Sequence, residues 1–201
     1  MGKIYCIMGK SSTGKDTIYQ SLIKEPALSL KTIVSYTTRP IRSGEQDGVE
    51  YFFCDEKKMK ALEDAGKVIE LRSYHTVQGI WNYFTVDDGQ VELSHQDYLV
   101  IGTLESFVKI REYYGEEAVI PIYIEVEDGL RLQRALDRER KQAEPKYAEM
   151  CRRFLADDAD FSVEKLREAN ITTRFANINL EETERAIARF IQEGGNPWIS
   201  K

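Results

Sequence analysis

The apolar positions of this chain fall into two kinds of pattern. Residues 3–8 (KIYCIM), 98–102 (YLVIG) and 119–126 (VIPIYIEV) are short, nearly continuous apolar runs, the signature of strands buried on both faces. Residues 32–36 (TIVSY) read the same way, and 175–179 (FANIN) form a weaker strand. Between these runs the apolar positions recur at helical spacing. Ile18, Leu22 and Ile23 share one face, residues 105–114 and 128–141 follow the same period, and 181–192 carry Thr183, Ile187, Phe190 and Ile191 as one stripe. Strands alternating with helices predict an α/β fold with a parallel sheet flanked by helices.

Two segments break this rhythm. Residues 36–95 hold short β-like pieces, VEYFF and KVIEL, separated by polar stretches, and read as an insertion into the layered core. Residues 137–154 (DRERKQAEPKYAEMCRRF) are densely charged and read as a helical flap. The expected organisation of 1–201 is one domain: a core of 1–35, 96–136 and 155–192, a small inserted subdomain at 36–95, and a lid at 137–154. No internal repeat is visible, and the tail GGNPWISK reads as a loosely held terminus.

Composition narrows the function. With 42% hydrophobic and 31% charged residues, the 201-residue chain has enough apolar surface for a real core. A net charge of -6 argues against nucleic acid and anionic membrane as partners, since both require a surplus of Lys and Arg. Cys6, Cys54 and Cys151 lack disulfide or zinc spacing, which fits a reducing, cytoplasmic setting. No run approaches the length of a membrane span, and the start is too short an apolar stretch for a signal peptide. His75 and His95 lie in polar contexts and read as surface residues.

The chemistry concentrates in two places. GKSSTGKDT at 9–17 follows the first strand and opens the first helix, the context in which backbone N–H groups and the positive end of a helix face phosphates. Gly9 and Gly14 allow the backbone of Ser11, Ser12 and Thr13 to wrap the phosphates, with Lys15 lying along them. The pattern asks for a hydroxyl directly after the lysine, but Asp16 stands there and Thr17 follows. Asp16 either holds a metal-bound water or points to solvent. The second place is SYTTRPIRSGEQDGVEYFF at 35–53, where Arg39, Arg42 and Tyr51 suit a clamp on a second phosphate.

These two blocks resemble those of the guanylate kinase family, nucleoside monophosphate kinases of the P-loop NTPase type. The first is similar to the family's G-P-S-G-x-G-K-G/S-T, with Thr17 in the family position. The second is similar to its S-x-T-T-R-x-x-R-x-G-E followed by G-x-x-Y. The resemblance implies ATP and Mg²⁺ as cofactors, Thr17 near the metal, and transfer of the γ-phosphoryl of ATP to GMP or dGMP. It implies Ser35, Arg39, Arg42 and Tyr51 as acceptor contacts, with Glu70 reading guanine through its N1–H and 2-amino donors, and Tyr83 and Thr85 beside it. Arg138, Arg140, Arg152 and Arg153 fall near the lid arginines, and Asn177 in the donor-base loop. Val100 and Gly102 replace two family aspartates, leaving Thr103 and Glu105 as the nearest polar substitutes. Another phosphorylated acceptor on the same scaffold, or a binding module without catalysis, are the alternative readings.

Overall fold

The computed structural model describes residues 1–76 and 79–195. Nine strands are present among them: β1 Ile4–Met8, β2 Lys31–Thr32, β3 Tyr36–Thr37, β4 Phe52–Phe53, β5 Val68–Thr76, β6 Gly79–Val86, β7 Tyr98–Ile101, β8 Val119–Glu125 and β9 Arg174–Ala176. The helices are α1 Lys15–Ile23, α2 Glu56–Asp64, α3 Leu104–Tyr114, α4 Asp128–Arg140, α5 Tyr147–Asp160, α6 Val163–Glu168 and α7 Leu180–Gln192.

Five strands form a parallel sheet in the order β2-β7-β1-β8-β9. Every residue of central β1 is buried, because helices cover both faces of the sheet. Alternate side chains serve opposite cores. Ile4, Cys6 and Met8 pack with Val100, Phe107 and Ile110, while Tyr5 and Ile7 pack with Ile18, Leu22, Ile187 and Phe190. The stripe expected on α7 is the buried face: Thr183, Ile187, Phe190 and Ile191 all point inward.

The inserted segment builds a second sheet, β4-β3-β6-β5, in which β5 and β6 form a long antiparallel hairpin. Its small core of Tyr36, Phe84 and Val86 is covered by Met59 and Leu62 of α2. No continuous apolar run announces α2, since none of its residues is fully buried.

Several expectations need correction. TIVSY is not one strand: Ile33 still bonds Leu99 across the core sheet, but Val34 gives its N–H to the Gln90 side chain, and the backbone turns toward the second sheet. FANIN stops at Ala176, and Asn179 caps α7 by accepting from Glu182. The flap is the distal part of a helical hairpin whose arms, α4 and α5, reach well beyond 137–154. At the tail, Gly195 is buried against Tyr5 and Ile120, so the chain is held up to that point, and residues 196–201 lie outside the described set. No helix among the described residues is long and apolar enough to cross a membrane.

Ile187 is fully buried between α7 and the sheet. Ile187→Ala is expected to cost about 2–5 kcal/mol in urea unfolding, the range for a large-to-small change in a closed core. A loss within error of zero would place α7 outside the cooperative core.

Candidate active site

The glycine loop runs from the end of β1 to the start of α1. Three backbone positions shape it. Gly9 approaches Ile124 so closely that a Cβ would lie 2.4 Å from its carbonyl oxygen, and Ser12 and Gly14 adopt left-handed conformations with φ of 66° and 86°. A Cβ on Gly14 would also meet the Asn177 amide nitrogen at 2.5 Å. That amide donates to the Thr13 carbonyl at 2.8 Å, tying the donor-side loop after β9 to the glycine loop. No side chain caps α1, so its first N–H groups face the loop cavity, the arrangement that receives phosphate.

A cleft of about 780 Å³ opens above this loop. Ser11, Ser12, Lys15 and Asp16 form its floor, Arg138 and Arg153 come from the two arms of the hairpin, and Arg42 comes from the inserted segment. With Arg131 and Lys146, also on its wall, cations from three parts of the chain share one cavity. Arg140 and Arg152 are not on its wall: they are exposed, paired with Asp137 at 3.6 Å and Glu149 at 2.7 Å. Helical geometry explains the split, because neighbouring or next-but-one positions on a helix do not share a face. Asp16 reaches the cleft although its side chain is 82% exposed, and it lies 3.4 Å from the Lys15 ammonium. His75 and His95 are exposed, as expected.

A group the sequence did not single out joins the hairpin to the loop. Arg131 of α4 is completely buried and bonds Asp128, Asp157 and Asp158 at 3.0 to 3.1 Å. Asp157 also accepts the Ser11 N–H at 2.8 Å, and Asp158 takes the Lys10 ammonium at 2.6 Å. Lys10 stands where the resemblance has proline. Nothing in the sequence marks Asp157 and Asp158 for this role, since acidic pairs are common on solvated helices.

The acceptor-side residues line up on the inserted sheet. Arg39, 4% exposed, grips Glu45 through both oxygens at 2.6 and 2.7 Å, with its guanidinium over the rings of Tyr51 and Phe53. This pair pulls the Glu45 carboxyl down to about 2. Tyr51 meets Tyr83 edge-on, and burial raises its hydroxyl pKa. Arg42 lies over the Trp81 ring at 5.9 Å. Ser35 contacts Thr85 at 3.3 Å, and Thr85 donates to Glu70 at 2.9 Å.

The family model for guanylate kinase matches residues 1–192. The chain belongs to the guanylate kinase family. Among its relatives, the guanylate kinase of Vibrio vulnificus strain YJ016 is 32% identical over 93 residues, 44% of this chain and 45% of that protein. That of Hahella chejuensis is 41% identical over 69 residues, 34% of this chain and 33% of that protein. These alignments thus span less than half the length of either relative. A guanylate kinase structure from Anaplasma phagocytophilum superposes with a TM-score of 0.63 at 21% identity, covering 96% of this chain and 86% of that one, and so shares the fold.

Against the guanylate kinase pattern, the segment after β7 is rebuilt. Val100 is a core residue, and a Cβ on Gly102 would lie 2.4 Å from the Ser106 hydroxyl. That hydroxyl is held in a reciprocal cap, accepting from the Thr103 N–H and donating to the Thr103 carbonyl, both at 2.9 Å. Thr103 in turn caps Ser106, so it is not a free substitute for the aspartates. Glu105 is placed differently: with Glu70 it lines a smaller cavity of about 270 Å³ between β5 and α3.

Because the Glu45 carboxyl lies near 2 in the folded protein against an ordinary 4.5, its pairing contributes stability above about pH 4.5 that is lost as the pH falls toward 2. Glu45→Gln is therefore expected to unfold at lower urea than the parent protein near neutrality, with the gap closing through that acid window. A gap independent of pH would show that the Arg39–Glu45 pair does not carry the difference.

Proposed function

We propose that the protein transfers the γ-phosphoryl group of ATP to a guanine nucleoside monophosphate, GMP or dGMP, giving ADP and the diphosphate. The observation that carries this reading is the single cleft shared by Lys15, Arg42, Arg138 and Arg153. Two phosphate-bearing substrates meeting there would be flanked by cations from the loop, the inserted segment and the hairpin. Phosphoryl transfer of this kind depends mainly on positioning and charge neutralisation, so no nucleophile paired with a base is needed.

In this mechanism the amides at the start of α1 and the Lys15 ammonium hold the β- and γ-phosphates of ATP. Asn177 fixes the loop from behind through the Thr13 carbonyl. Arg42, Arg39 and Tyr51 hold the acceptor phosphate, with Arg39 pre-oriented by Glu45. Arg138 and Arg153 close with the hairpin and exclude water. Arg140 and Arg152, outside the cleft wall, have no direct part. The Asp16 carboxylate, on the cleft wall, is a hard oxygen donor that would hold Mg²⁺, a nucleotide-bound Mg²⁺ needing only one or two protein oxygens, whereas Thr17, the expected ligand, is exposed on α1 and not on that wall. The chemistry Mg²⁺ would supply there is neutralisation of phosphate charge. The cytoplasm suits this chemistry and the three free cysteines.

Lys15→Ala is expected to lower kcat by about a hundredfold or more, the loss typical of a charge matched to the transition state, with an unchanged melting temperature. Normal ADP production by the folded variant would remove the assignment. Retained nucleotide binding with no turnover on any phosphorylated acceptor in the parent protein would instead favour a binding module.

Arg42 is the cleaner probe of the acceptor site, because removing Arg39 also strands Glu45. Arg42→Ala should raise the KM for the monophosphate by roughly 10- to 150-fold, the value of about 1.5–3 kcal/mol for a hydrogen bond to a charged group, and move that for ATP by less than about twofold. Separate titrations of the two substrates decide it. A larger effect on ATP would put Arg42 on the donor side.

A further inference from the structure

Glu70, the expected reader of guanine, is already engaged. Arg72 donates to it from Nε at 2.8 Å and from Nη2 at 3.1 Å, one bond to each carboxylate oxygen, and Thr85 adds a third at 2.9 Å. The Glu70 side chain is 2% exposed and that of Arg72 14%. Burial disfavours the Arg72 cation, and Glu70 together with Tyr74 and Tyr51 more than offsets this. The pair is therefore a buried, charge-assisted fork rather than a solvated contact.

This fork sits at the centre of the acceptor face. Residues two apart on a strand point the same way, so Glu70, Arg72 and Tyr74 of β5 share one side. Across the hairpin they register with Thr85, Tyr83 and Trp81, the residues that meet Ser35, Tyr51 and Arg42. Arg72 thus stands between Glu70 and the Tyr51–Tyr83 pair.

A consequence follows from geometry. The N1–H and 2-amino groups of guanine are two parallel donors that need both oxygens of one carboxylate side by side. Arg72 presents the same two-donor pattern to that same edge, so guanine and Arg72 compete for it. A guanidinium has five N–H donors, of which Glu70 takes two and the Tyr74 hydroxyl another, leaving two. They are suited to a carbonyl oxygen on the base rather than to its amino group.

We propose that Arg72 determines acceptor specificity: it masks Glu70 and offers its remaining donors to the O6 carbonyl of a 6-oxopurine monophosphate, leaving the 2-amino group unread. The proposal rests on the kinase reading above and specifies its acceptor class among purines. GMP and IMP both carry O6 and differ only in the 2-amino group. AMP carries an amino donor where they carry the carbonyl, and this would face the Arg72 donors.

The test compares kcat/KM for GMP, IMP and AMP with ATP as donor. GMP and IMP are expected within about threefold of each other and AMP at least about tenfold lower, since an unpaired buried donor weakens a wrong substrate by one to two orders of magnitude. IMP falling more than about tenfold behind GMP in the parent protein would overturn the proposal. Arg72→Ala uncovers Glu70 and should open a gap of at least about tenfold in favour of GMP over IMP, and an unchanged ratio in the folded variant would count against masking. Should that variant fail to fold because Glu70 loses its counter-charge, Glu70→Gln decides: the GMP to IMP ratio stays within about threefold if the 2-amino group is unread, and a selective loss of GMP overturns the idea. Turnover of GMP with rejection of IMP sinks the base-edge assignment alone, whereas no turnover with any monophosphate sinks the kinase reading and this proposal together.

Discussion

A positive charge with no access to water organises the half of this molecule that carries the glycine loop. The Arg131 guanidinium is completely buried, its centre 3.8 Å from the Phe154 ring centroid, and burial on that scale is tolerable only when the charge is matched. Asp128 on α4 and Asp157 and Asp158 on α5 supply the match. The same two α5 carboxylates hold the glycine loop through the Ser11 N–H and the Lys10 ammonium. The arms of the hairpin and the loop beneath them are thus parts of one charge-balanced unit. That unit carries the hairpin whose Arg138 and Arg153 line the cleft with Lys15, and removing Arg131 would leave three carboxylates without their shared counter-charge.

The acceptor half repeats the device twice. Arg39 is fixed by Glu45 and Arg72 by Glu70, each through two hydrogen bonds in a fork that fixes orientation as well as position. The outcomes differ because the partners differ. Glu45 lies at the end of a turn and holds Arg39 over the rings of Tyr51 and Phe53. Glu70 lies on β5 two residues from its partner and holds Arg72 opposite Tyr83.

The core was legible in the sequence because its signal is redundant: continuous apolar runs at β1, β7 and β8, and the Thr183–Ile187–Phe190–Ile191 stripe, each report burial on their own. The glycine loop was legible too, since its unusual backbone conformations demand particular residues at Gly9 and Gly14. What stayed hidden depends on contacts between distant positions. Arg131 reads as one more charge on an amphipathic helix until Asp157 and Asp158 are brought to it. Arg138 and Arg140 look equivalent in the sequence, and only the helix phase sends one to the cleft. The Arg72–Glu70 pair is not legible although the residues are two apart, because that spacing in a strand signals a shared face without saying whether the side chains touch.

The cap at the start of α3 bears on how this chain can change. Ser106 and a side chain at position 102 occupy the same space, and Ser106 is also the residue that closes the helix cap. An aspartate introduced at 102 would therefore expel the Ser106 hydroxyl and open the cap in a single step. The hydroxyl can turn away, since the next atom such a side chain would meet, the Ser106 Cβ, lies 3.6 Å off, but turning away breaks both of its bonds to Thr103. A carboxylate at 102 is therefore tied to the integrity of a helix terminus, a link set by the cap rather than by the chemistry of the site.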